Sequence, residues 1–374
     1  MIVYLTFNDL PSGVFKSQVL DVCRFYQVEL KKDITLVSFV SIRVWRKVKR
    51  QLSGLPFHVV VLPMFPKHRN WKKNTWLLRR KIKSLTPKTV ICRGPLAACL
   101  ALQARTPEMK VIFDARGAYA AEFSEYLDSN SLLNDKMENH ESRALKESDG
   151  VIAVSRQLVK WWNEKYAFIP GKYVVIPCTL SSDNHTVVSE TKRTEIRKKF
   201  GFSDNDLIMV YSGSSAEWQS LNNLKDWLEP VLRQNPVAKL LVLTPASVQD
   251  NELSKLFPGR VSSAWLQPEK VQEVLSCCDY GLLLREDTVT NRVASPTKFA
   301  EYLAAGLPVM ISHAIGDYSE FVIKHDCGYV LQKGNSLQLY SSAIEKKQQM
   351  KQLAVSFFTK KVHEKAYLEI LSER

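Results

Sequence analysis

The sequence predicts an α/β protein made of two doubly wound domains that face each other across a cleft. Short apolar runs alternate with helical stretches along the whole chain. Such runs are typical of strands buried on both faces of a parallel sheet, and the helices between them imply right-handed βαβ units. A length of 374 residues accommodates two domains, each with a core of its own.

Two series of predicted strands are separated by a polar segment. Residues 178–193 contain the sequence SSDNHTVVSETKR and lack periodicity, so we interpret them as a linker. We expect an N-terminal domain over 1–177, a C-terminal domain over 194–350, and a C-terminal helix over 351–374 that packs across the domain boundary. The predicted strands are 2–6, 34–40, 57–62, 89–92, 110–113, 150–154 and 173–176 in the first series, and 206–212, 239–243, 260–264, 279–284, 307–311 and 328–331 in the second.

The two halves of the chain contain a similar sequence at the start of one predicted strand each, 150–154 in the first half and 279–284 in the second. Asp149 and Asp279 each follow the end of a helix and precede an apolar strand, and Ser155 follows the first of these strands as a predicted N-cap. We interpret both aspartates as structural turn or cap residues.

The composition excludes several classes of protein. An apolar content of 45% and a charged content of 24% describe a folded chain rather than a disordered one. No signal peptide precedes the first strand and no apolar run reaches about 18 residues, so we expect a cytoplasmic protein without a membrane span. The seven cysteines show no metal-binding or disulfide spacing, which favours reduced thiols and no metal site. No GxGxxG motif follows a strand, which disfavours an NAD enzyme.

The net charge of +14 is concentrated in residues 41–90. This segment holds fourteen Lys or Arg and no Asp or Glu, whereas the other 38 Lys and Arg balance 38 Asp and Glu. Helical periodicity predicts two amphipathic helices here. The pattern indicates either two solvated helix faces or a surface that binds the phosphates of anionic lipid or nucleic acid. We favour binding to an anionic membrane, through the cations arranged around Trp45, Trp71 and Trp76. The predicted apolar faces are Ile42, Trp45, Val48 and Leu52 in the first helix, and Trp71, Thr75, Leu78, Ile82 and Leu85 in the second.

The most informative segment is a predicted helix of about three turns that follows strand 279–284. Ser295 is its expected N-cap, Pro296 its first residue and Gly306 its C-terminal stop. The start of this helix points to the carboxyl edge of the sheet, where its free N–H groups favour a phosphate. Lys298 and Glu301 share one face, which suits a diphosphate and a ribose diol but equally suits an ordinary surface ion pair.

This segment, SPTKFAEYLAAGLPV over 295–309, resembles the donor-site motif of GT-B glycosyltransferases of the family 4 type. DYGLLLR over 279–285, GDYSE over 316–320 and DGVIAVS over 149–155 fit the same pattern. The resemblance implies two Rossmann-like domains and transfer of a sugar from a nucleotide diphosphate sugar, without metal or cofactor. It also implies that Glu301 holds the ribose and that Lys298 and Arg285 lie near the diphosphate.

The chain departs from this family pattern in two places. Many relatives carry a glutamate eight positions before Glu301, where Val293 stands, so Asn291, Arg292 or Ser295 is expected to contact the donor sugar. The loop after the first strand of the C-terminal domain offers Ser214 and other hydroxyls but no cation. Arg285 and Arg292 are therefore expected to contribute more to phosphate binding.

Three predicted strand ends supply the N-terminal part of the site. Gly13 allows close approach of a ligand to the backbone, and Arg93 before Gly-Pro suits an anionic acceptor group. Asp114-x-Arg116-Gly resembles a sequence found at this point in related transferases. Asp114 and Arg116 either form a structural ion pair or bind the acceptor, with Asp114 or Glu122 taking its proton.

Family 4 relatives usually retain the anomeric configuration without an evident protein nucleophile. We therefore expect electrostatic stabilisation by Arg285 and Lys298 to matter more than a base. The expected acceptor is a saccharide or lipid-linked saccharide in bacterial surface polysaccharide synthesis, at the inner face of the membrane. Two alternatives remain: a nucleotide-sugar epimerase or hydrolase on the same fold, and a protein that binds nucleic acid through 41–90, although no recognised module for that is present.

Overall fold

The computed structural model describes residues 1–65, 68–127, 131–181, 188–213, 224–244 and 252–372. The chain forms two compact units. The first unit comprises Met1–Ser181, Val293–Ser295 and Lys360–Arg374, and the second unit comprises Ser182–Arg292 and Pro296–Thr359. In the described ranges no helix is both long and apolar enough to cross a bilayer. The domain bounds expected from the sequence, and the packing of 351–374 across them, stay predictions.

The first unit is built on a seven-stranded parallel sheet with the order β3-β2-β1-β4-β5-β6-β7. Its strands are β1 Ile2–Phe7, β2 Ile34–Ser41, β3 His58–Met64, β4 Thr89–Arg93, β5 Lys110–Ala115, β6 Gly150–Ala153 and β7 Tyr173–Val175. Its α-helices are α1 Gly13–Phe15, α2 Asp21–Arg24, α3 Trp45–Gln51, α4 Asn74–Leu85, α5 Pro95–Ala104, α6 Tyr119–Glu122, α7 Ser131–Glu147, α8 Arg156–Tyr166 and, at the C-terminus, α17 Glu364–Leu371. Lys16–Leu20, Phe25–Glu29 and Phe123–Leu127 are π-helical, and His68–Lys73 and Lys361–His363 are 3₁₀-helical.

The second unit is built on a six-stranded parallel sheet with the order β10-β9-β8-β11-β12-β13. Its strands are β8 Leu207–Ser212, β9 Ala238–Leu243, β10 Val261–Ala264, β11 Tyr280–Leu283, β12 Val309–Ser312 and β13 Gly328–Leu331. Its helices are α9 Glu190–Lys199, α10 Leu224–Gln234, α11 Glu252–Leu256, α12 Pro268–Leu275, α13 Val289–Arg292, α14 Thr297–Ala304, α15 Tyr318–Lys324 and α16 Ile344–Phe358.

The predicted α/β class with two doubly wound parallel sheets and all thirteen predicted strands are confirmed. Central strands such as β2 and β8 are buried along nearly their whole length. A strand covered by helices on both faces must be apolar throughout, which explains why these strands read as continuous apolar runs.

Asp149 and Asp279 have the structural role predicted for them. Each carboxylate accepts a backbone N–H from the neighbouring parallel strand, at 2.8 Å from Val111 and at 2.8 Å from Ile208. Each aspartate also donates its own N–H to the carbonyl of that same residue, at 2.8 and 2.9 Å. Asp279 additionally forms a buried ion pair with Arg197, with Nη2 and Oδ2 2.6 Å apart. The two halves thus repeat one local arrangement at the start of a strand.

Two predictions of helix starts are wrong. The first basic helix, α3, begins at Trp45, so Ile42 is not part of its buried face and is 65% exposed. Helix α14 begins at Thr297, with Pro296 rather than Ser295 as its N-cap, and its eight residues make about two turns rather than three. The Ser295 hydroxyl instead accepts the backbone N–H of Cys178 at 2.8 Å. Gly306 ends α14 as predicted, with a φ of +85° that favours glycine.

Candidate active site

In the second unit, the strand order reverses between β8 and β11. Ligands of doubly wound sheets bind outside the carboxyl ends of the strands at this point. Arg285 lies there, two residues beyond the end of β11. Its backbone N–H donates to the Ser312 hydroxyl and its carbonyl accepts from that same hydroxyl, both at 2.9 Å. One serine at the end of β12 therefore fixes the backbone that carries the Arg285 guanidinium.

Helix α14 is anchored to both strands at this point. The Tyr302 hydroxyl accepts the Ser212 N–H at 2.9 Å and donates to the Leu282 carbonyl at 3.2 Å. The Tyr302 ring packs against Gly281, where an added Cβ would lie 2.3 Å from the ring. On the same helix, Phe299 is fully buried and stacks on Tyr318 with ring centroids 4.3 Å apart. These contacts hold the start of α14 in place.

Lys298 and Glu301 form an ion pair on α14, with Nζ and Oε2 2.7 Å apart. Their side chains are 29% and 22% exposed, so a ligand can reach both of them. The surface ion pair that the spacing allows is therefore present in this structure. Contacts of Lys298 with a diphosphate and of Glu301 with a ribose stay predictions.

The other predicted donor contacts differ in their accessibility. Asn291 is fully buried; its Oδ1 accepts from the Arg285 guanidinium at 3.2 Å and its Nδ2 donates to the Glu286 carbonyl at 3.1 Å. Asn291 is thus placed to orient Arg285 rather than to meet a ligand directly. Arg292 is exposed and forms a bidentate ion pair with Asp287, at 2.6 and 2.8 Å. Ser214 lies outside the described residues.

In the first unit, the strand order reverses between β1 and β4. Arg93, the last residue of β4, pairs with Asp9 beyond β1, with Nε and Oδ2 2.7 Å apart. Its Nη1 is buried and has no hydrogen-bond partner in the described part of the chain. Gly94 follows with a φ of +84°, and a Cβ there would lie 3.4 Å from the Tyr119 hydroxyl. The predicted acceptor residue Arg93 therefore lies at the switch point with an unsatisfied donor.

Asp114 lies on β5 beside Arg93 and is almost completely buried. The Tyr4 hydroxyl donates to its Oδ2, and Arg116 donates to its Oδ1 at 3.2 Å. Arg116 also donates to the Gln18 side-chain carbonyl at 2.7 Å and to the Cys178 sulfur at 3.3 Å. Because both Asp114 oxygens have partners, the geometry favours the structural ion pair over a catalytic base.

Glu122, at the end of α6, is the more accessible of the two predicted bases. Burial, reinforced by the nearby Glu125, raises the pKa of its carboxyl. Its carboxylate accepts no hydrogen bond and forms no ion pair with any residue that the structure describes. A carboxylate in this state is suited to accept a proton.

Gly13 begins α1, and a Cβ added there would meet no atom of the described residues within 4 Å. The packing of the first unit therefore does not require glycine at this position. Open space beside the backbone at the carboxyl end of β1 is compatible with the predicted close approach of a ligand.

Sequence reasoning missed Glu141 on α7. Its two carboxylate oxygens accept the backbone N–H groups of Tyr119 and Ala120, each at 3.1 Å, and thereby cap the start of α6. The residue is fully buried, and this burial raises the pKa of its carboxyl to about 7. Nothing in the polar sequence around it distinguishes Glu141 from an exposed helix residue.

All seven cysteines are buried and free. No group of three or more His, Cys, Asp or Glu side chains placed to hold a metal ion occurs among the described residues.

Residues 33–183 match the family model Glycosyltransferase Family 4. The fold is shared with a glycosyltransferase from Rickettsia africae (TM-score 0.70, 15% identity, covering 100% of this chain and 99% of that one). The chain has the GT-B fold, with two Rossmann-like units. No curated protein sequence matches it significantly.

Two further structures share this fold. Anabaena HepE, solved in complex with UDP and glucose, has a TM-score of 0.67 at 15% identity, covering 99% of this chain and 98% of that one. WaaG, a glycosyltransferase involved in lipopolysaccharide biosynthesis, has a TM-score of 0.62 at 13% identity, covering 100% of this chain and 96% of that one. Identities this low show the fold alone, so the activity and the substrates have to be argued from the residues of this chain.

Proposed function

We propose that this protein is a glycosyltransferase that transfers a sugar from a nucleotide diphosphate sugar to a saccharide or lipid-linked saccharide in bacterial surface polysaccharide synthesis. The donor binds to the second unit and the acceptor to the first. One observation carries the proposal: Arg285 and the Lys298–Glu301 pair of the anchored helix α14 lie at the carboxyl end of the sheet beside its switch point. The complex of HepE with UDP and glucose and the role of WaaG in lipopolysaccharide biosynthesis support the choice of donor and pathway.

The Lys298–Glu301 ion pair is the part of the donor site that changes on binding. A diphosphate attracts the Lys298 ammonium, and Glu301, once released, accepts two hydrogen bonds from vicinal ribose hydroxyls. In this structure the two half-buried side chains compensate each other's charge. The ligand therefore replaces one charge-assisted contact with two, and no unpaired charge is buried in either state.

The chemistry rests on stabilising the leaving diphosphate. Arg285, Lys298 and the N-terminus of α14 supply positive potential where negative charge develops as the glycosidic bond breaks. We propose a metal-independent reaction that retains the anomeric configuration. Arg93 binds the acceptor, Asp114 and Arg116 hold the adjoining loop, and Glu122 is available for the acceptor proton.

We further propose that residues 41–90 attach the enzyme to the anionic cytoplasmic face of a membrane. Each cation near such a surface contributes about 1 kcal/mol, so a few suffice for reversible binding. Trp71 is 6% exposed and the Trp45 ring nitrogen donates to the Val61 carbonyl at 2.9 Å, so both rings pack on the first unit, as predicted for the apolar helix faces, whereas Trp76 is 63% exposed. The exposed cations of this surface are Arg43, Arg46, Lys47, Lys49, Arg50, Lys72, Lys73, Arg79, Arg80, Lys83 and Lys88.

The donor proposal is tested with a panel of nucleotide diphosphate sugars, measuring protection against thermal unfolding and release of nucleoside diphosphate. We expect Glu301→Ala to lower the affinity for the preferred donor by about tenfold to a hundredfold, the cost of losing hydrogen bonds to a charged group. Glu195→Ala on α9 is the matched control, because it removes a lysine–glutamate ion pair of the same i, i+3 spacing, Lys192–Glu195, on another helix of the second unit. Unchanged donor affinity in Glu301→Ala would remove Glu301 from the site.

The membrane proposal is tested by co-sedimentation with vesicles of phosphatidylcholine alone or mixed with phosphatidylglycerol, at low and moderate salt. Binding should require the anionic lipid and fall with salt, because the contacts are exposed and screened. Reversing Lys72, Lys73, Arg79 and Arg80 to Glu should abolish it. The matched control makes the same charge change in the second unit, at the exposed residues Lys198, Lys199, Lys255 and Lys351. Equal binding to both vesicle types would contradict this proposal.

A further inference from the structure

The segment that carries the predicted donor residues is interrupted by three residues of the first unit. Val293–Ser295 belong to the first unit, whereas the residues on both sides of them belong to the second. Arg285 and Asn291 precede this interruption, and Lys298 and Glu301 follow it. The two groups of donor residues are therefore joined by a short stretch of chain that the first unit holds.

The first contact that holds this stretch comes from Ser155, just beyond the carboxyl end of β6. Its hydroxyl donates to the Val293 carbonyl at 2.7 Å. The same hydroxyl accepts the Leu158 N–H at 3.0 Å and so caps the start of α8. Ser155 and Val293 are 1% and 2% exposed. Because a serine hydroxyl has a single proton, that proton is committed to the Val293 carbonyl.

The second contact comes from Cys178, three residues beyond the end of β7. Its backbone N–H donates to the Ser295 hydroxyl at 2.8 Å, and both residues are buried. β6 and β7 are parallel neighbours in the first sheet. Both ends of the stretch Val293–Ser295 are thus hydrogen-bonded to residues that follow the carboxyl ends of two adjacent strands.

Buried side chains of the first unit fix the backbone that makes the second contact. The Gln18 side-chain amide donates to the Thr179 carbonyl at 2.7 Å and accepts the Thr179 N–H at 3.3 Å. Arg116 donates to the Cys178 sulfur at 3.3 Å and to Asp114 at 3.2 Å. The stretch Val293–Ser295 is therefore attached to a rigid part of the first unit.

A shift of this stretch would move the donor residues on both sides of it. Val293 lies two residues after Asn291, whose side-chain oxygen accepts from the Arg285 guanidinium at 3.2 Å. Ser295 precedes Pro296, the N-cap of α14, which has no side-chain capping hydrogen bond, and Lys298 is in the first turn of this helix. Displacements of about 1 Å in groups that position a substrate are costly.

We infer that Ser155 and Ser295 are positioning residues of the donor site. They hold the chain between Asn291 and Lys298 in the place that lets Arg285 and Lys298 bind one diphosphate. Donor affinity thus depends on a serine of the first unit that follows β6 and lies 130 positions before Arg285 in the chain. This inference rests on the proposed donor site and deepens it.

The deciding variant is Ser155→Gly, because glycine is nearly as good an N-cap as serine but cannot donate to the Val293 carbonyl. The dissociation constants of UDP, ADP and GDP are measured by calorimetry for wild type and variant, with thermal unfolding in parallel. We expect the nucleotide that wild type binds best to bind about tenfold more weakly, the effect of one lost buried hydrogen bond. Ser155→Thr, which keeps the hydroxyl, should recover most of the affinity.

The matched control is Ser189→Gly at the N-cap of α9. The Ser189 hydroxyl accepts the Lys192 N–H at 3.3 Å, so this variant also exchanges a serine cap for glycine. Its nucleotide affinity should equal that of wild type. Ser295→Ala provides a second variant, which leaves the Cys178 N–H unpaired and should weaken nucleotide binding in the same direction.

The outcomes separate this inference from the proposed function. Weaker nucleotide binding in Ser155→Gly that Ser155→Thr restores and Ser189→Gly does not share supports the positioning role. Full nucleotide binding in both Ser155→Gly and Ser295→Ala overturns it and leaves the proposed donor site standing, even where thermal stability falls. If wild type binds none of the three nucleotides, the donor proposal fails and this inference fails with it.

Discussion

At the scale of single residues, Glu141 shows how a buried carboxyl fixes the backbone near the predicted acceptor residues. Its carboxylate accepts the first N–H groups of α6 and also the Tyr166 hydroxyl at 3.0 Å. Helix α6 carries Tyr119, whose ring lies against Gly94 beside Arg93, and Glu122. A fixed start to this short helix therefore sets the positions of two side chains near the predicted acceptor site.

The raised pKa of Glu141 predicts a specific dependence of stability on pH. The folded pKa of about 7 lies above the ordinary pKa of 4.5 for a glutamate, so the folded state binds the proton more tightly. This stabilising contribution is fully present below about pH 4.5 and is lost as the pH rises through about 7, a change of about 3 kcal/mol. Glu141→Gln should remove it. The measurement is the free energy of unfolding at pH 5, 6 and 7, and equal slopes for wild type and variant would contradict the assignment.

At the scale of elements, the strands were predictable and the ends of the helices were not. A strand covered on both faces is apolar at every position, and this signal survives in the sequence without any knowledge of its partners. Helical periodicity identifies a buried face but not the residue at which the helix starts. Ile42 has the spacing of the α3 face, yet the chain turns before Trp45 and leaves Ile42 exposed.

The side chains of the candidate site also fall into two groups, those whose position the sequence predicts and those whose contacts it does not. Arg285, Lys298 and Arg93 were placed correctly at strand and helix ends, because the carboxyl edge of a parallel sheet follows from strand order alone. The burial of Asn291, the partners of Asp114 and the cap formed by Glu141 depend on contacts between residues distant in the chain. Glu141 and Tyr119 are 22 positions apart, for example, and no local pattern encodes that pairing.

Two glycines, Gly281 in β11 and Gly13 at the start of α1, predict opposite outcomes. Gly281→Ala should destabilise the second unit by about 3 kcal/mol, because its Cβ would lie 2.3 Å from the Tyr302 ring. The ring cannot easily move away, since its hydroxyl is hydrogen-bonded to the backbone of both Ser212 and Leu282. Gly13→Ala should leave the free energy of unfolding unchanged within about 0.5 kcal/mol, because no atom of the described residues lies within 4 Å of the added Cβ. The same Cβ should weaken binding of the donor, which is predicted to approach the backbone at this position. Chemical denaturation and the donor panel measure these effects. Full ligand binding by Gly13→Ala would remove Gly13 from the site.

At the scale of the whole molecule, residues from the second half of the chain complete the first unit. The Ser155 hydroxyl donates to the Val293 carbonyl at 2.7 Å, and the Lys360 ammonium donates to the Leu180 carbonyl at 2.8 Å. Tyr367 on α17 packs against Phe25, with ring centroids 5.4 Å apart. Burial lowers the pKa of Lys360 to about 8, which is the cost of placing an ammonium where the chain returns to the first unit. The first unit is therefore not complete with the first 181 residues alone.

Charge compensation within the chain leads to the last prediction, that transfer proceeds without a divalent metal. The leaving diphosphate needs positive charge, and Arg285 and Lys298 place two cations at the end of the second sheet, reinforced by the N-terminus of α14. Activity with the preferred donor should be unchanged by a chelator and not increased by Mg²⁺ or Mn²⁺. The measurement is the rate of nucleoside diphosphate release with and without the chelator, using protein dialysed against it beforehand. A rate that falls on chelation and returns with Mn²⁺ would show that the two cations do not suffice and that the metal shares the charge of the leaving group.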